Sequence, residues 1–325
     1  MLGDFGFENG QLIVRNTGAR ISINQGFMKD VASVASFTME VTAIRAARSA
    51  RSYVDGLSHP GSLPHARPIR ICFTPVAPQV WYAIWPVCRL AGINIVRDPA
   101  QADILFYFED RETAGAMPAV MPGKYMINSR CSDIRKSRVA EVFEQVFGYC
   151  LSVDPYTYSG IALMKSERNG VHDGQITPCP YVVPRQGAVF QRLIDNTADG
   201  RIYTDIRTPV VGGTLPAIYL KQRTAATRFS NHNFRVRLSS ADAELSASEQ
   251  TLVLEFAARI GLDFGGLDIL RDRHDGRIYI VDVNKTDMGP PTALPRAEKL
   301  IAMQKLADAF RAWVEPMAGN TIRAA

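Results

Sequence analysis

The sequence predicts an α/β protein built of mixed α+β lobes, and three observations carry that expectation. Short apolar runs, IRICF (69–73), INIV (93–96) and ADILFYF (102–108), alternate with a stretch that reads as helix, which is the pattern of a small parallel sheet. A long helix over 246–260 opens on Ser246 with Glu249 three residues on, the spacing of a capping box. Beyond it, LDIL (267–270) and RIYIVDVN (277–284) flank the turn RDRHDG, whose Asp275-Gly276 step suits a hairpin connection.

The rest of the chain falls into place in order. Residues 1–27 are rich in Gly and Asn, with short β-like runs. From about Met28 to Tyr53, Val31, Val34, Phe37, Val41 and Ile44 recur at three- and four-residue steps, which predicts an amphipathic helix. Arg45, Arg48 and Arg51 follow at steps of three and suit a solvated face. Ser58 to Pro68 reads as a linker, and residues 76–91 as a helix inside the parallel unit. A last helix, about Pro295 to Val314, carries Leu300, Ile301, Leu306, Phe310, Trp313 and Val314 as a core-packing stripe.

Composition narrows the function. The chain has 325 residues, 46% of them apolar, enough for a sizeable core divided into two or three subdomains. Its formal net charge of +5 suits an anionic small-molecule substrate. No Lys/Arg block is dense enough to favour nucleic acid. The five cysteines are far apart and form no C-x-x-C, which argues against a disulfide framework or zinc site and for a reducing cytoplasm. The N-terminus is not a signal peptide. Pro78, Pro86 and Arg89 break the longest apolar stretch, so no membrane segment is expected.

Residues 261–291 hold the densest chemical signal. Strand alternation puts Tyr279, Val281 and Val283 on one face of RIYIVDVN and Ile280, Asp282 and Asn284 on the other. Asp268 on the neighbouring strand can lie beside them. Two carboxylates and an amide oxygen make a hard-oxygen set suited to Mg2+ held partly by phosphates. An Asp between valines is costly to bury unless a cation or donor pairs it. Taken alone, Asp282 and Asn284 also fit a strand end capped at the surface.

Asp268, Asp282 and Asn284 followed by Gly-Pro-Pro resemble the closing motif of the ATP-grasp enzymes, with Asp282 where Glu is commoner. The likeness covers about residues 68–315. It implies an ATP-grasp fold preceded by a small parallel α/β domain. The corresponding divisions are an N-terminal extension (1–66), a pre-ATP-grasp domain (67–125), a nucleotide-binding and catalytic domain (126–316) and a tail (317–325).

Carried over residue by residue, the resemblance implies metal ligands Asp268, Asp282 and Asn284. INSRCSDIRKSRVAEVF (127–143) places Lys136 as the first nucleotide lysine. GIALMKSERNGVHDG (160–174) places Lys165 as the phosphate lysine, before a loop poorer in glycine than the family pattern. In that loop His172 reads either as a base or substrate contact or as a solvated side chain. AVFQRLID (188–195) resembles the adenine hinge. Arg192 and Ile194 would offer main-chain groups there, and Asp195 a ribose contact. YTDIRTPVVGG (203–213) resembles the strand and turn of amino-acid-adding members such as the ribosomal-protein glutamate ligases. Arg207, Lys221 and Arg228 would act as catalytic cations, with Asn231 and Asn233 near the transferred phosphate and His232 of uncertain role.

The implied activity is ATP-dependent ligation. A carboxylate is activated as an acyl phosphate and joined to an amine or thiol, releasing ADP and phosphate. The cofactors are ATP and Mg2+, with Mn2+ as an alternative, and the resemblance allows a homodimer. A kinase on the same scaffold and a non-catalytic nucleotide-binding scaffold are the alternatives.

Overall fold

The computed structural model describes residues 5–8, 11–14, 19–22, 25–58, 68–115, 121–168, 173–181, 186–228 and 233–323. The chain divides into two compact units, Met1–Ser62 and Leu63–Ala325. The linker reading of residues 58–68 falls mostly outside the described residues.

The first unit contains strands β1 (Phe5–Glu8), β2 (Gln11–Val14) and β3 (Ala19–Ser22), followed by helix α1 (Gln25–Ser58). The strands form an antiparallel meander, with Phe5 opposite Val14 and Gln11 opposite Ser22. The helix extends beyond the periodic stretch at both ends. Of its apolar stripe, Phe37 and Val41 are buried, whereas Val31 is exposed.

The second unit opens with β4 (Arg70–Pro75), α2 (Ile84–Leu90), β5 (Asn94–Val96), β6 (Ile104–Phe108) and β7 (Tyr125–Ile127). The strands form a parallel sheet in the order β5-β4-β6-β7. Every residue of β6 is buried, as a central parallel strand requires. The helix expected over 76–91 is confined to Ile84–Leu90. Pro78 cannot donate a helical hydrogen bond, whereas Pro86 sits in the first turn, where none is lost.

Then come α3 (Lys136–Phe147), β8 (Gly160–Ser166), β9 (Gln175–Cys179), β10 (Ala188–Arg192), β11 (Ile202–Val211), β12 (Ile218–Thr224), β13 (Arg235–Ser239), α4 (Ala241–Glu244), α5 (Ala247–Ile260), β14 (Phe264–Arg271), β15 (Ile278–Asn284) and α6 (Arg296–Arg323). Two antiparallel sheets result, β10-β8-β9 and β13-β12-β11-β14-β15. The five-stranded sheet presents Ile206, Val210, Ile218, Leu220, Leu267 and Val283 to one face. Val139, Val142 and Phe143 of α3 and Val253, Phe256 and Ile260 of α5 share that core.

Helix α5 starts as its sequence requires. The Ser246 hydroxyl accepts from the Glu249 amide, the Glu249 carboxylate accepts from the Ser246 amide, and left-handed Gly261 ends the helix. Helix α6 continues past Val314 to Arg323, and Pro316 removes a hydrogen bond without ending it.

Asn128 locks the parallel unit to the larger sheet. Its φ of 59° is tolerated by Asn, and its side-chain oxygen accepts from the Asp263 and Phe264 amides at the start of β14. At the far end of β11, Gly212 has φ +54°, and a Cβ there would lie 2.2 Å from Trp313 Cγ on α6. Gly212→Ala combines a left-handed penalty with overpacking. It should destabilise the protein by about 2 kcal/mol or more in urea denaturation.

Candidate functional site

The sheet face opposite the oily core carries the charge. Register places Arg207 of β11 opposite Asp268 of β14, and Asp268 opposite Asp282 of β15. Asp205 of β11 lies opposite Lys221 of β12. Directly opposed residues project to the same side of a sheet, so these groups form one polar row. Asn284 lies opposite Gly266, at the end of the same row.

The register shifts after Asp268, where Ile269 pairs with Ile280 and Val281 is the extra residue. This corrects the strict alternation expected for the strand. Ile280 does not share the face of Asp282; the bulge returns it, fully buried, to the hydrophobic core with Ile269.

Within the row, Asp268 is held by two cations, Arg207 Nη1 at 2.9 Å and Lys221 Nζ at 3.0 Å. Burial alone would raise its carboxyl pKa. The charges of Arg207 and Lys221 overcome that and hold it well below the usual carboxylate range. Asp282 differs. Its Oδ1 is buried with no hydrogen-bond partner. Its pKa is raised, first by burial and further by Asp268, against the opposing pull of Lys136, Lys165 and Arg207. Two adjacent acids are therefore driven apart, one firmly ionised and one short of a cation.

That orphaned oxygen is the fit test for a divalent ion, and the residues meet it: Asp282, Asp268 and Asn284 are hard-oxygen donors in register. Among the described residues no three His, Cys, Asp or Glu side chains gather as a ready-made ion cage. An ion here would depend on the Asn284 amide and on oxygens brought by a ligand.

The smaller sheet supplies the facing charges. Lys165 on β8 is half-buried, and its pKa is pushed down to about 8 by burial and by neighbouring Lys136, partly offset by Asp282. Lys136, the first residue of α3, is buried and donates through Nζ to the Arg168 carbonyl at 2.6 Å, just past the end of β8. Both lysines thus act electrostatically on the acid row.

The residues expected at an adenine hinge are partly engaged already. The Arg192 amide donates to the Leu151 carbonyl at 2.9 Å, and the Ile194 carbonyl accepts from Arg228 Nη2 at 2.6 Å. The Ile194 N–H has no partner among the described residues. Arg228 also lies over the Tyr203 ring, 4.3 Å from its centroid. The structure thus places Arg228, expected from the sequence as a catalytic cation, against the Ile194 carbonyl and the Tyr203 ring. Its nearest carbonyl and aromatic face lie on β11 and the hinge, and they hold it there. Asp195 accepts from Thr197 at 2.7 Å and pairs with Arg273 at 3.1 Å. Asn233 precedes β13, while His172, Asn231 and His232 lie outside the described residues.

Two residues escaped the sequence reading. Asp287, buried just beyond β15, pairs with Nη2 of Arg207, so Arg207 bridges two carboxylates. The pair passes over Gly266, where a Cβ would sit 2.6 Å from Asp287 Oδ2 and 2.8 Å from Arg207 Nε. The other is Gln191, 1% exposed, with neither amide atom hydrogen-bonded. It lies opposite Leu163, and its neighbour two residues back, Val189, lies opposite Lys165, so Gln191 shares the lysine's face of the sheet. An apolar-to-polar step in AVFQR is the one signal that could have singled it out.

No known sequence family matches the chain, and neither does any curated protein. Solved structures do match. The ATP-grasp ligase PsnB complexed with minimal precursor aligns over 76% of this chain and 98% of its own, at 14% identity and a TM-score of 0.51. The macrocyclase MdnB from Microcystis aeruginosa MRC aligns over 75% and 99%, at 11% identity and a TM-score of 0.47. D-alanine–D-alanine ligase from Bacillus anthracis, complexed with ATP, aligns over 80% and 98%, at 14% identity and a TM-score of 0.45. The chain has the ATP-grasp fold. Among the described residues no helix is long and apolar enough to cross a membrane, and all five cysteines are free.

Asp287→Ala strands one side of a buried guanidinium. It should cost about 3 kcal/mol in urea denaturation, whereas Asp287→Asn, which keeps an acceptor, should cost clearly less.

Proposed function

We propose that this chain is an ATP-dependent ligase that activates a carboxylate as an acyl phosphate, joins it to an amine or thiol, and releases ADP and phosphate. The observation that carries the proposal is the buried, partnerless Oδ1 of Asp282, beside ionised Asp268 and facing Lys136 and Lys165. A buried carboxylate short of a cation costs stability, and a fold retains such a cost where a ligand relieves it.

Asp268, Asp282 and Asn284 would hold Mg2+, or Mn2+ in its place, which when bound neutralises phosphate charge. Lys136 and Lys165 would hold the nucleotide phosphates as point charges. Gln191, on the Lys165 face of the smaller sheet, has the donor and acceptor to read a base edge, with the Ile194 N–H and the Asp195 carboxylate as the other expected nucleotide contacts. Arg228 then acts indirectly, by fixing the Ile194 carbonyl.

In the first step a substrate carboxylate oxygen attacks the γ-phosphorus and the bond to ADP breaks. In the second, the amine or thiol attacks the acyl carbon, loses its proton and expels phosphate. No protein nucleophile is required. Charge builds on the transferring phosphoryl group, and Arg207 and Lys221, held in place by Asp268 and Asp287, stand ready to screen it. Removing one such cation should slow the chemical step by about two to three orders of magnitude.

Asp282→Asn tests the reading from two sides. In the free protein a carboxyl with a raised pKa opposes folding increasingly as pH rises from the ordinary carboxylate value through the raised one, so neutralising it removes the cost at neutral pH. The variant should melt above the wild type without ligand, yet lose phosphate and ADP release when acid and amine substrates are supplied with Mg-ATP. A variant that melts lower and keeps turnover would contradict the assignment. Product analysis separates ligase from kinase, because only ligation releases free phosphate as the second substrate is joined.

A further inference from the structure

A second binding feature lies away from the acid row, along β13. This strand ends the five-stranded sheet and, among the described residues, pairs only with β12. Beside it runs a cavity of about 520 Å³ bounded by β13 on one side and by the segment entering α6 on the other. Its lining includes the apolar Phe234, 50% exposed, and Pro295, together with the basic Arg235, Arg237 and Lys305. An exposed aromatic ring beside an open strand edge offers an added strand an apolar contact.

The edge itself is partly unclaimed. The Leu238 amide donates to Glu298 Oε2 of α6 at 2.7 Å, so it points away from β12. In an antiparallel strand alternate residues turn their N–H and C=O to the same side. By that alternation Val236 presents both groups outward, as Leu238 does its carbonyl. Glu298 is the one acid in the lining, and it is engaged with the backbone.

We propose that β13 is a docking edge for an acidic, extended peptide segment, which adds to the sheet as a sixth strand. The N–H and C=O of Val236 and the C=O of Leu238 supply the pairing, while the Leu238 N–H stays on Glu298; Arg235 and Arg237 select acidic side chains on one face of the incoming strand, and Phe234 and Pro295 pack its alternate apolar residues. Charge complementarity selects an acidic partner over a basic one. The location links the groove to the rest of the molecule: Val236 lies opposite Lys221, which holds Asp268. A strand added to β13 would run about 10 Å from β12, two strand spacings away. The proposal goes beyond the ligase reading and is tested without nucleotide, so either can fail alone.

The probe is a fluorescein-labelled octapeptide alternating Glu and Val, followed by fluorescence anisotropy. Three comparisons accompany it: the same peptide N-methylated at alternate amides, a Lys-Val counterpart, and the Arg235→Glu/Arg237→Glu double variant. Both arginines are exposed, so the variant should keep its wild-type circular-dichroism melt. Saturable binding of the acidic peptide is expected, weakened at least about tenfold by the double variant. The N-methylated and Lys-Val peptides should fail to bind. Equal binding of the N-methylated peptide would reduce the contact to unspecific charge attraction and overturn the strand proposal. It would fall equally if the acidic peptide bound no better than the basic one, or if a single-stranded oligonucleotide displaced it at matched charge.

Discussion

The second unit depends on one electrostatic constraint: a row of acids on a sheet whose other face is sealed by helices. With Ile206, Leu267 and Val283 committed to the core, Arg207, Asp268 and Asp282 have only one face available. Arg207 and Lys221 satisfy Asp268, and Asp287 satisfies the other side of Arg207. The cations on the sheet are thereby used, and Asp282 is left short. Had these pairs been distributed evenly, the row would be a self-contained salt-bridge network with little need of a ligand. The imbalance is what supports the proposal that the row is a ligand site.

The rest of the architecture serves that row. Asn128 clamps the beginning of β14 to the end of β7, the bulge after Asp268 lets β15 return Ile280 to the core while Asp282 stays on the polar face, and Gly266 leaves room for Arg207 to reach Asp287. The smaller sheet brings Lys165 within electrostatic reach of Asp282, and α3 brings Lys136. A fold of this kind works by positioning charge against charge, the demand that phosphoryl transfer makes.

Much of this was legible in the sequence because it is local. Period-two patterning and the Asp275-Gly276 turn located β14 and β15, and Ser246 with Glu249 located the start of α5. What escaped was tertiary. The bulge depends on how two strands pair, not on either alone. The Arg207–Asp287 pair joins residues 80 positions apart, and neither signals the other. The contacts of Arg228 with the Ile194 carbonyl and the Tyr203 ring likewise depend on how separate segments meet. Gln191 is one polar residue in a short run, and its burial without partners is what sets it apart.

The most direct measurement is calorimetric titration of the purified full chain with ATP alone, Mg2+ alone, and the two together, beside Lys165→Ala. If the row is a cation site completed by phosphates, ATP and Mg2+ should bind far more tightly together than either does separately, and Lys165→Ala should weaken the joint binding while leaving the fold intact. Joint binding no tighter than that of ATP alone in the well-folded wild type would contradict the account, because Asp282 would then remain without the cation on which the site is argued to depend.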